Sequence, residues 1–199
     1  MKRSRQQTAA GQTSQGFTLI ELMVVLAIAA IVLALAAPSF TGTIERNRRE
    51  SAMTELATTL QLAKAAAASN ASRAPVIVCI SKDGASCTGG GDWAAGWIIF
   101  TDVNGNNQFD QGAANDGELV GSTNALPDGF SMTPTTGEFT EWIRFRPTGE
   151  VEGNGGGTNG RFMICSTNST GADAKYLVVT ATGQVRTDKQ DGDTCPNGK

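Results

Sequence analysis

One apolar segment near the amino terminus constrains the possible folds most strongly. Residues 17–37 read FTLIELMVVLAIAAIVLALAA and contain one charged residue, Glu21. As an α-helix, these 21 residues would span about 32 Å, which matches a bilayer core of about 30 Å. A buried core helix is the competing interpretation, but so long an apolar run rarely lies inside a small soluble domain. The sequence therefore predicts a transmembrane helix over residues 17–37.

The flanks of this segment decide between a membrane anchor and a removable signal. Residues 1–16 carry three basic and no acidic residues, and the ALA sequence at 34–36 resembles a signal-peptidase site. A secretory signal peptide ahead of a secreted enzyme or carrier is therefore the rival interpretation. Against it, the apolar run exceeds the usual length of about 7–15 residues, Glu21 interrupts it, and a helical pattern continues beyond the site.

The four cysteines, at positions 79, 87, 165 and 195, indicate the compartment in which the C-terminal part of the chain lies. They form no CxxC pair and the chain has no histidine, so a zinc site is not expected. An even number of cysteines in an exported domain favours disulfides, with three possible connectivities. We favour Cys79–Cys87, which closes a short loop, and Cys165–Cys195, which holds the C-terminal tail; four reduced thiols are the alternative. Disulfides place the large C-terminal part on the oxidising side of the membrane.

Composition argues against catalysis and against general nucleic-acid binding. Without histidine, the commonest general base is missing and neither a Ser–His–Asp nor a Cys–His set can form. We therefore expect no enzyme activity, no cofactor and no metal. Beyond residue 16, 13 basic and 19 acidic residues remain, a net charge of −6. Any nucleic-acid contact would need a local basic patch.

The rest of the chain predicts one more helical stretch followed by strands. Residues 38–72 continue as an amphipathic helix with an apolar face at spacings of three and four, formed by Met53, Leu56, Leu60, Ala63 and Ala67. Short β-rich runs occupy residues 75–80, 96–102, 118–121, 141–146, 161–166 and 175–181. Because strands and helices do not alternate, we predict an α+β fold with a mainly antiparallel sheet.

The segment GFTLIELMVVLAIAAIVLALAAP closely resembles the amino terminus of type IV pilins and type II secretion pseudopilins. The resemblance implies a basic leader that ends at Gly16, with prepilin peptidase cutting before Phe17 and the new amino terminus being N-methylated. Glu21 becomes mature position five and pairs with the Phe17 amine of a neighbouring subunit during filament assembly. Pro38 takes a position where the family commonly has proline.

Later motifs narrow the resemblance. Cys79 at a strand end, the run WAAGWIIFTDVNGNNQFD and the sequence VTATGQVR are similar to GspH/FimT minor pseudopilins. The resemblance implies a pilin-like fold, in which a long N-terminal helix with a transmembrane first half packs on the sheet domain. It also implies a structural subunit of a type II secretion pseudopilus or type IV pilus, held in the inner membrane beside other pilins. The implied division is a leader at 1–16, a transmembrane helix half at 17–37, an amphipathic helix half at 38–72 and a periplasmic β-rich domain at 73–199.

DNA capture is the alternative function that the resemblance brings. In the T-type branch, a GRxR-like motif near the carboxyl terminus is implicated in binding DNA during uptake. Here the corresponding residues are Gly183, Gln184, Val185 and Arg186, so glutamine replaces the first arginine, and three aspartates follow before residue 194. A basic patch that could contact DNA would comprise Arg144, Arg146, Arg161, Arg186 and Lys189.

Two polar segments have simpler interpretations than ligand sites. DVNGNNQFD places Asp102, Asn104, Asn106 and Asp110 at calcium-loop positions, but the glycine and glutamate that complete such a loop are absent. An Asn/Gly turn explains this composition more simply, and we favour it. GNGGGTNG at 153–160 lacks the lysine followed by serine or threonine that completes a phosphate loop, so we interpret it as a flexible connection.

Overall fold

The computed structural model describes residues 16–109, 117–166, 174–188 and 195, and for residues 34–41 it describes the backbone only. The chain divides into two compact units, Met1–Ile44 and Glu45–Lys199. Lys189, Asp110 and the aspartates at 191 and 193 lie outside the described residues.

A single α-helix, α1 (Leu19–Ser69), contains 51 residues. The Glu21 backbone N–H donates to Thr18 Oγ1 at 3.2 Å, so Thr18 caps the start of the helix. The helix ends before Asn70, whose carbonyl accepts the Arg73 N–H at 3.1 Å. The helix therefore ends three residues before residue 72, the last residue of the predicted helical stretch.

Within the part of the chain whose side chains are described, no helical stretch combines the length and hydropathy needed to cross a membrane. The predicted span at 17–37 extends into residues 34–37, whose side chains are not among those described.

In the second unit, the predicted apolar face of α1 is confirmed. Met53, Leu56, Leu60, Ala63 and Ala67 are at most 1% exposed and belong to one core cluster with residues of both sheets. Polar contacts support this packing. Trp97 Nε1 donates to Thr59 Oγ1 at 3.0 Å and Lys64 Nζ donates to the Thr182 carbonyl at 2.7 Å.

Two antiparallel sheets complete the second unit, so the predicted α+β pilin-like fold is confirmed. The five-stranded sheet has the order β3-β2-β1-β5-β6 and the four-stranded sheet has the order β4-β7-β8-β9. The strands are β1 (Val76–Ile80), β2 (Trp97–Thr101), β3 (Leu119–Thr123), β4 (Phe130–Pro134), β5 (Trp142–Phe145), β6 (Val151–Gly153), β7 (Gly160–Ser166), β8 (Lys175–Val179) and β9 (Val185–Asp188). Two short 3₁₀ helices lie at Trp93–Ala95 and Gly137–Phe139.

The strand predictions missed three strands, β4, β6 and β9. All three lie at sheet edges, where hydrophobic alternation is weak because only part of the strand faces the core. β4 also ends in Pro134, and β6 contains only three residues beside a glycine-rich run.

The prediction of a flexible connection at residues 153–160 is wrong. The Gly153 N–H donates to the Gly157 carbonyl at 2.8 Å, which closes an ordered turn. A side-chain carbon at Gly160 would lie 2.6 Å from the Phe139 ring. The glycines therefore allow this segment to pack closely against the 3₁₀ helix at Gly137–Phe139, rather than supplying freedom of motion.

Both disulfides connect the cysteines in the pairing that we favoured. Cys79–Cys87 and Cys165–Cys195 each join Cα atoms 5.6 Å apart. Inside the first loop, hydrogen bonds from the Ala85 backbone and from Ser86 hold the pKa of Asp83 well below its usual range. Cys195 is buried against Cys165 and Tyr176, which ties the end of the chain to the four-stranded sheet.

Candidate functional site

The first candidate site is the beginning of α1. Gly16 and Phe17 precede the helix, and the Phe17 side chain is 84% exposed. Thr18 is the N-cap and Glu21 is the third helical residue, which is the T-x-x-E spacing of a capping box. A carboxylate in the first turn is favourable beside the positive end of the helix dipole. Glu21 is therefore well placed to neutralise a positive charge at the amino-terminal end of this helix.

The helix surface that follows is apolar and exposed in the isolated chain. Val25, Ile28, Val32 and Leu33 line a shallow groove together with Ala29. Among the side chains of this unit that the structure describes, the exposed large apolar ones are Phe17, Leu19, Ile20, Leu22, Met23, Val24, Val25, Leu26, Ile28, Ile31, Val32, Leu33 and Ile44. A continuous apolar surface of this kind marks contact with protein or membrane.

The second candidate site is the predicted basic patch, which the structure divides between the two sheets. On the five-stranded sheet, Arg144 and Arg146 both contact Glu152 of the neighbouring strand β6. Their guanidinium nitrogens lie 3.1 and 2.7 Å from Glu152 Oε2. The Arg146 hydrogen bond lowers the pKa of Glu152, and the same contact raises the pKa of Arg146.

Arg144 has further structural contacts. Its guanidinium lies 5.1 Å from the centre of the Trp142 ring, and it also donates to Asn107 Oδ1. The side chain is only 17% exposed. These contacts engage the Arg144 guanidinium within the protein, so Arg144 is poorly placed to bind a phosphate.

On the four-stranded sheet, Arg161 and Arg186 lie on either side of Val178. Val178 is the register partner of Arg161 on β7 and of Arg186 on β9. Directly opposed residues of antiparallel strands share a face, so both arginines are on one side of the sheet. They line a groove of about 320 Å³, to which Thr136 and Asn159 contribute polar atoms.

The two arginines of this groove differ in their surroundings. The Arg161 guanidinium lies 5.4 Å from the centre of the Tyr176 ring, whereas Arg186 is on an exposed edge strand. Asp188 is the register partner of Tyr176 and carries the opposite charge on the same face. Of the basic patch predicted from the sequence, Arg161 and Arg186 come together on the four-stranded sheet, whereas Arg144 and Arg146 lie beside Glu152 of the five-stranded sheet.

The Asp102 loop has the geometry of an Asn/Gly turn. Asp102 is 2% exposed, and its two carboxylate oxygens accept the backbone N–H groups of Gly105 at 2.8 Å and Asn107 at 3.2 Å. Asn104 and Asn106 likewise accept backbone N–H groups two residues ahead. Their oxygens are occupied by the loop itself, and no group of three or more metal-binding side chains occurs among the described residues.

Several residues that shape these sites were not predicted. Thr18 carried a usable signal, because T-x-x-E before an apolar run predicts a helix start. Glu152 and Tyr176 carried none, because their contacts depend on the register in which neighbouring strands align. The pairings Arg144↔Glu152 and Met163↔Tyr176 are set by sheet register.

Two family models match the chain. The family model "Type II transport protein GspH" matches residues 52–183, and the "Prokaryotic N-terminal methylation motif" matches residues 12–37. No curated protein matches the chain.

One similar solved structure is the type IV minor pilin FimU of Pseudomonas aeruginosa (strain PAO1), with 19% identity and a TM-score of 0.49 over 70% of this chain and 91% of that chain. The GspH match covers most of the second unit, and the methylation motif covers the start of α1. The chain therefore belongs to the GspH family and is a minor pseudopilin or pilin.

Proposed function

We propose that this minor pseudopilin is cleaved between Gly16 and Phe17, N-methylated on Phe17, and built into a periplasmic filament through the apolar part of α1. The methylation motif over residues 12–37 is the observation that carries the proposal. The motif coincides with a helix whose apolar side chains are exposed in the isolated chain. Membership of the family implies that the partners are other pilins of a pseudopilus or pilus.

The proposal includes a location. The apolar segment anchors the chain in the inner membrane with a single pass, and the sheet domain lies in the periplasm. Two disulfides in that domain support an oxidising compartment, because disulfides persist there and are rare in the cytosol. Prepilin peptidase is the processing partner. The role of the chain is structural, and it needs neither a cofactor nor a metal.

N-terminal sequencing of the membrane-extracted protein tests the processing step. The expected first residue is a methylated Phe17, with the whole apolar segment retained. A mature chain that begins near Ala37 would instead indicate an ordinary signal peptide, and the proposal would be wrong. Gly16→Leu provides a second variant, which should remain at full length because the peptidase loses the residue before its cut.

Glu21 has the central role in assembly. Cleavage after Gly16 creates a free amine one residue before the helix cap, where the helix dipole disfavours positive charge. An acid in an apolar environment is costly unless it is paired. Contact between the Glu21 carboxylate and the amine of a neighbouring subunit removes both penalties.

Glu21→Gln tests this pairing, because it keeps the size of the side chain and removes its charge. We expect the variant to fold and to reach the membrane, but to co-purify with filaments much less than the wild type. Glu55→Gln is the matched control, since Glu55 is an exposed acid on the same helix. If Glu21→Gln and Glu55→Gln enter filaments equally well, Glu21 has no pairing role.

DNA binding is a second candidate function, supported by the placement of Arg161 and Arg186 in one groove. Two arginines on one side of a sheet could contact successive phosphates. The nearby Asp188 and the acidic net charge both oppose the approach of phosphate. Binding should therefore be weak and sensitive to salt, with log affinity falling by about 0.9 per phosphate contact for each unit of log salt.

A gel-shift titration of the detergent-solubilised chain at low salt tests this candidate. Arg186→Ala should weaken binding equally for all DNA sequences and flatten the salt slope by about one unit. Arg146→Ala is the control, because Arg146 lies on the other sheet and contacts Glu152. Absence of a shift at tens of micromolar protein, or equal effects of the two variants, would remove DNA as a ligand of this groove.

A further inference from the structure

Strand β9 forms one edge of the four-stranded sheet. Along this strand, the backbone N–H and C=O groups of successive residues point alternately toward β8 and toward the open edge. The hairpin before it is closed by a Thr180 N–H to Gln184 carbonyl hydrogen bond of 2.9 Å. Because hydrogen-bonded pairs alternate in an antiparallel ladder, Arg186 and Asp188 direct their backbone groups toward β8. The N–H and C=O of Thr187 therefore point outward, along the open edge of the sheet.

The other edge of this sheet is blocked. On β4, the outward N–H of Met132 donates to Asp92 Oδ1 at 3.0 Å. Pro134, the next outward position, has no N–H to offer. A further strand therefore cannot add to β4 without breaking an existing contact.

Both edges of the five-stranded sheet are also protected. On β6, the Val151 N–H donates to the Ala181 carbonyl at 3.0 Å, and the Gly153 N–H donates to the Gly157 carbonyl at 2.8 Å. On β3, the register shifts between Ile99 and Phe100 of its neighbour, and such irregularities twist an edge away from further pairing. Among the described strands, β9 alone has a regular edge whose outward backbone groups bind no described residue.

The charges of β9 are arranged symmetrically about Thr187. Arg186 and Asp188 are exposed, flank Thr187, and point to the same face of the sheet. An edge protected against pairing usually carries charges that repel a copy of itself. This edge carries one charge of each sign, so an antiparallel copy centred on Thr187 meets opposite charges at both positions.

We propose that β9 is a docking edge for β9 of a second copy of this chain, with a two-fold axis through the Thr187 pair. The two Thr187 residues exchange their outward N–H and C=O groups as a hydrogen-bonded pair. Arg186 of each copy then lies opposite Asp188 of the other, in the closely spaced, non-hydrogen-bonded type of pair. The two four-stranded sheets become one continuous sheet of twice the width.

Other registers lack these two opposite-charge pairs. A parallel copy in register would place each charge opposite an identical charge, which is unfavourable. An antiparallel copy centred on Arg186 or on Asp188 would likewise place that charge opposite its own copy. The contact uses one strand of four residues from each copy, far fewer than the roughly 20–30 residues a side of a standard interface. The dimer is therefore weak and forms where copies are concentrated, as on a membrane. It does not depend on filament assembly or on DNA.

Cysteine cross-linking of the full chain in membranes tests this edge. In a hydrogen-bonded antiparallel pair the Cα atoms are about 5.5 Å apart, which lies within the range that a disulfide accepts. Thr187→Cys should therefore form a covalent dimer on mild oxidation. Ser122→Cys is the matched control, since it is exposed on the edge strand β3. Equal cross-linking of the two variants would reflect random collision and overturn the proposal, as would absence of a Thr187→Cys dimer.

Charge reversal in the Thr187→Cys background supplies a second measurement. Arg186→Asp or Asp188→Arg alone creates like-charge pairs and should reduce cross-linking by about tenfold. The double variant restores opposite charges across the axis and should recover cross-linking. If the single variants cross-link normally, or if the double variant fails to recover, β9 does not pair with itself in this register.

Discussion

Arg144 on β5 and Arg146, one residue beyond the end of that strand, have different neighbours from Arg161 on β7 and Arg186 on β9. The first pair contacts one acid, Glu152, at 3.1 and 2.7 Å. The second pair flanks Val178 and lines an open groove.

The comparison shows that the residue opposite an arginine determines its role. Glu152, directly opposite Arg144 in the sheet, forms an ion pair that holds β5 and β6 together. Val178, which lies between Arg161 and Arg186, supplies no charge to either of them. Sequence composition treats these four arginines alike, whereas strand register separates them.

The largest expected effect comes from removing the shared acid. Glu152→Ala should lower the free energy of unfolding by about 1–3 kcal/mol, because two guanidinium groups lose their acceptor and Arg144 is mostly buried. Asp188→Ala, on the other sheet, should change it by less than about 0.5 kcal/mol. Urea denaturation followed by tryptophan fluorescence measures both, since all three tryptophans lie in the second unit. Equal losses for the two variants would contradict the comparison.

The next effect is a pH dependence confined to the five-stranded sheet. The Arg146 hydrogen bond lowers the pKa of Glu152 in the folded state. The stability that the Glu152 carboxylate contributes is therefore complete above the ordinary glutamate pKa of about 4.3 and is lost as the pH falls below that value. Glu152→Gln should remove this part of the acid sensitivity in a denaturation series between neutral and acidic pH.

Glu118→Gln is the control for that series, because Glu118 is exposed. It should leave the acid sensitivity unchanged. A Glu152→Gln protein that loses stability on acidification as steeply as the wild type would show that the arginine contacts do not carry the effect.

The smallest effect separates the two arginines of the groove. Arg161 lies over the Tyr176 ring, a contact worth about 0.5–1 kcal/mol at an exposed site. Arg161→Gln should therefore lower the unfolding free energy by about that amount, and Arg186→Gln should change it less. Thermal unfolding of the two variants side by side measures the difference. If the order is reversed, Arg186 has a structural role that the groove geometry does not predict.

Features encoded over short distances could be predicted from the chain. The buried face of α1 follows from apolar residues three and four apart, and six strands follow from β-branched and aromatic runs between turn residues. The capping Thr18 and the end of the helix before Pro75 are local signals of the same kind. The resemblance at Gly16, Phe17 and Glu21 also lies within one continuous segment, so no folded contact was needed to see it.

Features that depend on register could not be predicted in this way. Glu152 is eight residues from Arg144, but its side chain reaches that arginine only because β5 and β6 align at Arg144↔Glu152. Arg161 and Arg186 meet only because β8 places Val178 between them. The glycine-rich segment is ordered because Phe139 packs against it. Each outcome depends on how strands or packed segments align, and many side chains jointly select that alignment, so the individual residues carry no separate signal.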